Sequence, residues 1–403
     1  MSTNAADIAK IEAAGVRGAG GAGFPTHIKA QGSAEVVIAN GIECEPVLSK
    51  DKAVMAAYPE LVIAGLRIMM RLVGAERGVV AIKRKNAHAV ASMKAAMAAA
   101  AELGVGSAGD LEVVVSEMND FYPAGDEHVL VYEVTGKLVP AGGIPLAAGA
   151  VVNNVETLMN VALALDGVPV TRKFVTVAGE VNRPATYRVP IGMSLAELLE
   201  LAGGVRAEYS GDFEVLTDGP MMGKVMGQGA DLGSSKVSVT TSGLIVLPPN
   251  HPVVVERRRT LEHQMRLARS ACIQCTMCSD ACPRRLLGHP LKPHLIMRTI
   301  AHSFNAQLPD EFDVYPELLM AGLCTECGVC NLVCPMGLSP RNINAMIKQA
   351  MARGKLRWNS RCADDGTRIR VHPARAGRLI PSGRIVARSG LARYCGVEEL
   401  VEV

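Results

Sequence analysis

The sequence is poor in aromatic side chains and has no marked excess of either charge. Phe, Trp and Tyr make up 3% of its 403 residues, which is too few for the stacking platforms that bind single-stranded nucleic acid. Its 42 Lys and Arg nearly balance 39 Asp and Glu, and the formal net charge is +3. A chain so close to neutral offers no basic footprint for a polyanion. Both absences argue against a nucleic-acid-binding protein.

Long apolar runs and an export signal are also absent. A membrane-spanning helix needs about 18 or more consecutive apolar residues, and the best stretch, residues 61–73, is interrupted by Arg67 and Arg71. The N-terminus lacks the basic and apolar regions of a secretory signal peptide. We therefore expect no transmembrane segment, and the length predicts two or three domains.

Cysteine, in contrast, is concentrated in two runs. They begin at Cys272 and Cys324 and share the spacing C-x2-C-x2-C-x3-C-P. This is the spacing of bacterial ferredoxins with two [4Fe–4S] clusters, in which the fourth cysteine of each run ligates the other cluster. The two expected ligand sets are Cys272, Cys275, Cys278 and Cys334 for one cluster, and Cys324, Cys327, Cys330 and Cys282 for the other.

Zinc and disulfides are the alternatives for these cysteines. Structural zinc takes four ligands, commonly as two pairs, which leaves the regular third spacing and the Cys-Pro ending unexplained. Disulfide frameworks belong to small secreted domains, whereas this chain is long. The interpretation is therefore iron–sulfur ligation by reduced thiolates, which predicts a cytoplasmic protein. Cys44, Cys362 and Cys395 lie outside the runs and are expected to be free thiols.

Hydrophobic periodicity divides the chain into four parts. Strand-like runs near 36–39, 79–82, 111–115 and 151–152 alternate with helical segments, which predicts an α/β domain with a largely parallel sheet over residues 1–165. Short strands and one helix capped by Ser194 predict a β-grasp-like module over 166–250. Helices flanking the cysteines complete a ferredoxin-type domain over 251–352. The arginine-rich residues 353–403 predict a tail that is partly ordered at best, with solvated charges.

A glycine-rich loop lies near the N-terminus. Gly18, Gly20 and Gly23 match the dinucleotide fingerprint, but a helix precedes them and Phe24-Pro25 follows, whereas that fingerprint joins a strand to a helix. Glycines this dense let backbone N–H groups approach a phosphate or a ring closely. An ordinary flexible turn is the alternative. Lys29, just beyond the loop, is suited to pair with a phosphate.

Polar side chains follow three of the predicted strands. The segments start at Asn40, Tyr122 and Asn153, and each contains carboxylates or amides. Open α/β sheets bind ligands at the carboxyl ends of their strands, and amides there match the donors and acceptors of an isoalloxazine or nicotinamide ring. Any one segment alone is more often a turn or a cap.

These segments resemble a known flavoprotein family. GAGGAGFPTHIK from Gly18, NGIECEP from Asn40 and VNNVETL from Val152 resemble the NADH-oxidising flavoprotein subunit of respiratory complex I. The order of domains resembles RnfC subunits and, more closely, the PduS-like cobalamin reductases of bacterial microcompartments. YPAGDE at Tyr122 and VPIGMSL at Val189 support the second likeness, as do GPMMG, CPR and GH-x3-PHL further on.

The resemblance implies a fold and a set of cofactors. The fold is a Rossmann-like FMN/NADH α/β domain, a β-grasp (SLBB-like) module and an α-helical double-[4Fe–4S] ferredoxin-type domain. The residues expected to hold the FMN phosphate are Gly18, Gly20, Gly21, Gly23 and Lys29. Those expected to hold its ring or ribityl chain are Asn40, Asn153, Asn154 and Thr157. Those expected on the nicotinamide side are Glu43, Glu45, Tyr122, Gly125, Asp126 and Glu127.

The order of carriers follows from electron counting. NADH gives up two electrons as a hydride, a cubane accepts one, and a flavin does both. No acid–base pair is needed, and we expect none. The resemblance implies a corrinoid as acceptor, with a corrinoid adenosyltransferase, a microcompartment shell protein and a second copy of the chain as further partners. The alternatives are an RnfC-like subunit of a membrane-associated NADH:ferredoxin complex and a non-enzymatic carrier or scaffold.

Overall fold

The computed structural model describes residues 3–102, 112–226, 231–303, 315–358 and 369–403, so Cys362 and residue 111 lie outside the description. Two compact units are present. The sheet unit comprises Met1–Asp120, Gly149–Arg257 and Ser389–Val403, and the cysteine unit comprises Phe121–Ala148 and Arg258–Arg388. The limits of these units differ from the domain boundaries that the sequence predicts near 165, 250 and 352. Those boundaries stay predictions.

Helices and strands alternate over the first 165 residues. In chain order they are α1 (Thr3–Ala13), α2 (Thr26–Ala30), β1 (Val36–Asn40), α3 (Lys50–Ala57), α4 (Pro59–Val73), β2 (Arg77–Lys83), α5 (Ala87–Glu102), β3 (Glu112–Met118), β4 (Phe121–Tyr122), α6 (Glu127–Thr135), β5 (Ala150–Asn154) and α7 (Val155–Leu165).

Short strands dominate the next stretch, and helices dominate the rest. The strand-rich stretch contains β6 (Arg172–Gly179), β7 (Ala185–Pro190), α8 (Leu195–Leu201), β8 (Glu214–Thr217), β9 (Lys224–Val225) and β10 (Gly243–Leu247). The remainder contains α9 (Pro252–Arg258), α10 (Leu261–Ala271), α11 (Met277–Asp280), α12 (Pro283–Leu286), α13 (Pro293–Ser303), α14 (Val329–Val333), α15 (Pro340–Arg353), α16 (Arg375–Arg378), β11 (Ile380–Pro381), α17 (Ser382–Arg388) and β12 (Leu400–Glu402).

A four-stranded parallel sheet forms the core of the first domain. Its order is β3-β2-β1-β5, and the first four residues of β1 are all buried, as expected for a strand covered on both faces. The register places Asn40 beside Asn154. The predicted α/β domain with a parallel sheet is confirmed, and the carboxyl ends of β1 and β5 meet at one edge.

Helix α4 lies against α7 without space for a side chain between them. A Cβ added at Gly65 would lie 1.9 Å from the Leu158 carbonyl oxygen. The helix begins with Pro59 at its first turn and ends at Gly74 in the left-handed region, at φ 70. In the described parts of the chain, no single helix is long and apolar enough to span a membrane; α3 and α4 meet that test only together and are bent by 95°.

A six-stranded sheet forms the second module, in the order β12-β7-β6-β10-β8-β9. Helix α8 covers it, and the predicted cap is confirmed: Ser194 Oγ accepts from Glu197 N, and the Glu197 side chain accepts from Ser194 N. The core under α8 contains Tyr187, Leu198 and Leu244. The β-rich module predicted from the sequence is thus present.

The tail differs from the prediction in the residues described. Residues 369–403 contain α16, β11, α17 and β12, and β12 pairs in parallel with β7. Three of their six arginines form ion pairs: Arg375 with Glu133, Arg393 with Glu180, and Arg378 Nη1 donates to Asp280 Oδ1 at 3.2 Å. The prediction of a poorly ordered tail is wrong for these residues, because the partners that order it lie more than 90 residues away in sequence. The prediction of solvated charges holds for Arg370, Arg384, Arg388 and Arg393, which are exposed.

Candidate cofactor sites

The glycine loop is a closed turn in the sheet unit. Gly18 N donates to Phe24 O at 2.9 Å and Gly23 N donates to Gly18 O at 3.2 Å. Gly21 and Gly23 have φ of 111° and 63°, which side chains rarely adopt. A Cβ added at Gly20 would lie 3.4 Å from the Asn154 Cβ. The loop is therefore shaped by its glycines and lies against the end of β5.

The asparagine side chains at the strand ends differ in their hydrogen bonds: those of Asn154 and Asn40 have partners, whereas Asn153 has a buried nitrogen without one. Asn154 caps α7, accepting from Glu156 N at 3.0 Å, and its Nδ2 donates to Asp51 Oδ1 at 2.9 Å. Asn40 Oδ1 accepts from Ile42 N at 3.2 Å. Asn153 is 4% exposed, and its Nδ2 is buried without a hydrogen-bond partner. Buried donors without a partner are rare, so this atom fits a ligand oxygen.

Two further predicted FMN residues join the loop to the sheet. Thr157 is fully buried, and its Oγ1 accepts from Ala19 N at 2.9 Å. Lys29 Nζ donates to Val152 O at 2.7 Å. Gly20, Lys29, Asn153, Asn154 and Thr157 are thus gathered at the end of β5, as a flavin site requires.

A buried group of charges underlies this site, and sequence reasoning missed it. Glu156 Oε2 accepts from Lys50 Nζ at 3.2 Å and from Lys173 Nζ, and its Oε1 accepts from Phe174 N. Lys50 also donates to Asp51 Oδ1 at 2.6 Å. Lys173 Nζ donates to Ala19 O in the glycine loop at 3.2 Å. Lys173 lies on β6, so the second module helps to fix the loop.

Burial and neighbouring charges shift the pKa values in this group in opposite directions. Burial lowers the pKa of the Lys173 ammonium to about 8, although Glu156 opposes the change. Burial also disfavours the charged form of Lys50, but Asp51 and Glu156 outweigh it and raise the pKa of that ammonium.

Two predicted nicotinamide-side carboxylates, Glu43 and Glu45, lie half-buried in the sheet unit. Glu43 Oε2 accepts from Asp51 N at 2.9 Å and from Lys52 N at 3.2 Å. Glu45 Oε2 accepts from Met221 N at 2.8 Å, while its Oε1 is buried without a partner. Burial, reinforced by Asp51, raises the pKa of Glu43 to about 7. Burial also raises the pKa of Glu45 to about 7, with the Met221 hydrogen bond opposing it.

The remaining predicted nicotinamide residues belong to the cysteine unit. Tyr122 OH donates to Cys327 O at 2.7 Å. Asp126 caps α6, and its Oδ2 accepts from Arg284 Nη2 at 3.1 Å. Gly125 and Glu127 flank Asp126 in the same segment. These side chains therefore contact cysteine-bearing elements, and their assignment to the nicotinamide side stays a prediction.

The eight cysteines of the two runs line two cavities in the cysteine unit. The outer cavity is lined by Cys272, Cys275, Cys278 and Cys334. The inner cavity is lined by Cys282, Cys324, Cys327 and Cys330. Each predicted ligand set, including the fourth cysteine taken from the other run, is brought together around one cavity. Ligation itself stays a prediction.

The backbone explains how a short run surrounds a cavity. Gln274 and Glu326 occupy the same place in the two runs and have φ of 54° and 60°. Thr276 and Gly328 also correspond, at 64° and 79°. Left-handed residues between successive cysteines turn the chain so that the thiols face one centre. The two runs are therefore repeated in conformation as well as in sequence.

The thiol sets suit a multi-iron group better than a single ion. Among the described residues, no three His, Cys, Asp or Glu side chains are arranged to hold one metal ion. Burial raises the pKa of the Cys278 and Cys282 thiols to about 12, so thiolates there need positive charge inside the cavity. Donors already reach the sulfurs: Glu326 N lies 3.3 Å from Cys324 Sγ and Gln274 Nε2 lies 3.2 Å from Cys272 Sγ. The four cysteines gathered around each cavity fit a [4Fe–4S] cluster.

Family models match three consecutive parts of the chain. The Nuo51 FMN-binding domain matches residues 11–163, the SLBB domain 174–225, and the 4Fe-4S dicluster domain 271–339. These matches confirm the predicted order of domains. The chain has an FMN-binding domain and a domain for two [4Fe–4S] clusters, and NADH is the reductant that the family implies.

Full-length relatives are also found. The cobalamin reductase PduS of Salmonella typhimurium is 38% identical over 100% of this chain and 83% of its own length. PduS of Citrobacter freundii is 37% identical over 96% of this chain and 79% of its own. One component of the Na⁺-translocating ferredoxin:NAD⁺ oxidoreductase complex of Acetobacterium woodii is 31% identical over 68% of this chain and 56% of its own.

Solved structures show the same fold. The NAD⁺-reducing [NiFe]-hydrogenase in its H2-reduced state matches with a TM-score of 0.56 and 22% identity, over 87% of this chain and 61% of that one. At this identity the likeness concerns the fold alone.

Proposed function

Because the chain belongs to the PduS family of cobalamin reductases, we propose that it passes electrons from NADH through FMN and two [4Fe–4S] clusters to a corrinoid. One observation carries the proposal beyond family membership. Two crossed cysteine cavities and an FMN-binding domain occur on a single chain. This is the set of carriers needed to turn one two-electron donor into two one-electron transfers.

The FMN residues bind and orient rather than react. FMN, when bound, accepts a hydride as an electron pair and releases single electrons. The loop of Gly18, Gly20, Gly21 and Gly23, which Gly18 N and Gly23 N close into a turn, would hold the phosphate together with Lys29. The residues that hold the ring and ribityl chain are Asn40, Asn153, Asn154 and Thr157. Glu156 with Lys50 and Lys173 fixes the glycine loop and the α7 cap on which this set depends.

The nicotinamide side needs shape and charge but no proton transfer by a side chain. Glu43, Glu45, Tyr122, Gly125, Asp126 and Glu127 make up the proposed set. With pKa values of about 7, Glu43 and Glu45 carry partial charge at neutral pH. A carboxylate favours the positive ring of NAD⁺ over the neutral ring of NADH, which helps the product form.

The cluster ligands are Cys272, Cys275, Cys278 and Cys334 in the outer cavity, and Cys282, Cys324, Cys327 and Cys330 in the inner one. Partnership with a corrinoid adenosyltransferase, a microcompartment shell protein or a second copy, and a place in the cytoplasm inside such a compartment, belong to the same proposal. They rest on family membership, and pull-down from a native lysate tests them.

The order of carriers is tested with anaerobically reconstituted protein. NADH is expected to bleach the flavin and to reduce hydroxocobalamin. Cys272→Ala is expected to stop cobalamin reduction while flavin bleaching by NADH continues, because the flavin precedes the clusters. Cys395→Ala, an exposed cysteine outside the runs, is the matched control. Loss of both reactions in Cys272→Ala would contradict the proposed order.

A second candidate is favoured by the 31% identity to a component of the ion-translocating complex. In that role the chain would pass electrons from NADH toward ferredoxin as part of a membrane-associated assembly. Co-purification with integral membrane proteins, combined with ferredoxin reduction and no cobalamin reduction, would select it. Intact clusters without bound flavin after gentle purification would select a non-enzymatic carrier or scaffold instead.

A further inference from the structure

The two cysteine cavities differ in their access to solvent. In the inner cavity, Cys282, Cys327 and Cys330 are buried, at 7%, 9% and 8% exposure. In the outer cavity, Cys275 is exposed, and the other three cysteines are half-buried. A cluster held in the outer cavity therefore lies nearer to any acceptor that approaches the cysteine unit from solvent.

Large apolar side chains at and beside the outer cavity face solvent: Ile273 and Met336 line it, and Met277 lies between its ligands Cys275 and Cys278 without lining it. Ile273, Met277 and Met336 are 61%, 45% and 44% exposed. Ile273 and Met277 lie two residues on either side of Cys275, and Met336 lies two residues after Cys334. We call these three residues the outer rim. Exposed apolar side chains grouped around a functional centre are typical of a contact surface.

No formally charged side chain lines the outer cavity itself, although Asp280 Oδ2 accepts from the lining Thr276 Oγ1 at 3.1 Å and Arg259 Nη1 donates to Gly337 O, beside Met336, at 2.8 Å. Its lining contains no Asp, Glu, Lys or Arg, and His294 Nδ1 is engaged with Ser279 Oγ at 2.6 Å. The inner cavity is lined by Arg284 and Arg341. The outer rim itself presents apolar, uncharged side chains to solvent. It suits a neutral, flat ligand with apolar faces.

We propose that the cluster in the outer cavity is the exit for electrons, and that a corrinoid docks over the outer rim to receive them. This inference rests on the proposed function and names where its acceptor binds. A corrin ring has methyl-bearing apolar faces and neutral amide arms, which match an uncharged apolar rim. In each transfer, one electron leaves the reduced outer cluster and cobalt is reduced by one unit, from Co(III) to Co(II) or from Co(II) to Co(I). Two transfers use the electron pair of one NADH.

The test uses the holoprotein and a triple variant, Ile273→Gln, Met277→Gln and Met336→Gln. Ile144→Gln is the matched control, because Ile144 is also 61% exposed in the cysteine unit and lines neither cavity. Binding of cob(II)alamin is measured by equilibrium dialysis. In parallel, protein pre-reduced and freed of reductant is mixed with hydroxocobalamin, and cluster oxidation is followed.

The triple variant is expected to bind cob(II)alamin about tenfold more weakly than wild type, since contact residues at the centre of an interface dominate affinity. Its iron, flavin and cluster EPR signals stay unchanged, and Ile144→Gln binds as wild type does. The EPR signal of the outer cluster is the one that Cys275→Ala removes, and that of the inner cluster is the one that Cys327→Ala removes. Bound cob(II)alamin is paramagnetic, so we expect it to broaden the outer signal and to leave the inner signal unchanged.

Three results would overturn the inference. If wild type reduces hydroxocobalamin and the triple variant binds and reacts equally well, the proposed function survives and the docking site does not. If Ile144→Gln loses as much binding as the triple variant, the effect is general and the rim has no special role. If wild type neither binds nor reduces cobalamin, the proposed function fails and the inference fails with it.

Discussion

The cysteine unit and the sheet unit assemble their sites in different ways. Each cavity in the cysteine unit takes three of its cysteines from seven consecutive residues, and the same left-handed positions recur in both runs. The candidate flavin site in the sheet unit is supported by Lys50, Glu156 and Lys173, of which Lys50 lies 106 residues before Glu156 and Lys173 lies 17 residues after it. The cysteine cavities are determined by the local spacing of residues, whereas the flavin site depends on the packing of whole helices and strands.

This difference predicts different failures. A substitution in a cysteine run removes a cofactor and leaves the fold, because the run is held by its own turns. A substitution in the buried charges of the sheet unit removes a support of the fold, and the flavin is lost as a consequence. Four measurements test the comparison.

The largest expected effect is the loss of a whole cluster from a ligand in the other run. Cys334 lies in the second run, but it lines the outer cavity with Cys272, Cys275 and Cys278. The test is its replacement, Cys334→Ala. We expect it to remove about half of the bound iron and the same EPR signal that Cys275→Ala removes. Cys330→Ala, four residues earlier, is the matched control and should remove the other signal. If Cys334→Ala and Cys330→Ala abolish the same signal, the ligands are not crossed.

The same contrast explains what the sequence could predict. The cysteine spacing predicted both ligand sets, including the exchange of Cys282 and Cys334, because a few turns fix that geometry. The alternation of apolar runs predicted the parallel sheet, and the register of that sheet places Asn40 beside Asn154. The sequence did not indicate that Lys173 is buried, because a lysine at the start of a strand is usually solvated. Only the tertiary packing buries this one.

The tail shows the same limit. Its arginines have the composition of a solvated segment, and nothing local marks Glu133, Asp280 and Glu180 as their partners. Strand β12 is short and acquires its order by pairing with β7. Glu45 is a further example: its contact with Met221 joins two modules that the sequence treats separately. Interactions between distant segments are what local patterns omit.

The second effect concerns the buried charges. Lys173→Met leaves Glu156 with one cationic partner in a fully buried position, and breaking such a pair costs about 3–5 kcal/mol. We expect a lower melting temperature and loss of flavin, with both cluster EPR signals retained. Flavin content and differential scanning calorimetry measure this.

Two variants separate charge from packing at this position. Lys224→Met, at an exposed lysine of the same sheet, should change neither flavin content nor melting. Adding Glu156→Gln to Lys173→Met should recover part of the stability, since the unpaired charge is then removed. If the loss of stability in the double variant equals the sum of the losses in Lys173→Met and Glu156→Gln, the charges do not act as a pair.

The third effect is smaller and concerns the glycine loop. Gly21→Ala places a side chain at φ 111°, which costs roughly 1–2 kcal/mol. If the strained loop relaxes away from the phosphate, FMN affinity falls by about tenfold or less. Gly15→Ala is the control, because Gly15 has φ 73° and equally open surroundings but lies before the loop. Equal FMN affinities of the two variants, measured by fluorescence titration, would show that the loop does not bind the flavin.

The smallest effect is a pH dependence of stability at Glu45 in the sheet unit. Burial raises the pKa of Glu45 from its ordinary 4.5 to about 7, so the folded protein binds a proton that the unfolded chain has released between these values. The stability that this carboxyl contributes is complete below pH 4.5 and is lost as pH rises through 7. Glu45→Gln keeps an oxygen for Met221 N and carries no charge. We expect it to raise the melting temperature at pH 8 by about 2 °C and to match wild type at pH 5. An equal shift at both pH values would mean that the carboxylate is not destabilised by burial, and that its raised pKa plays no part.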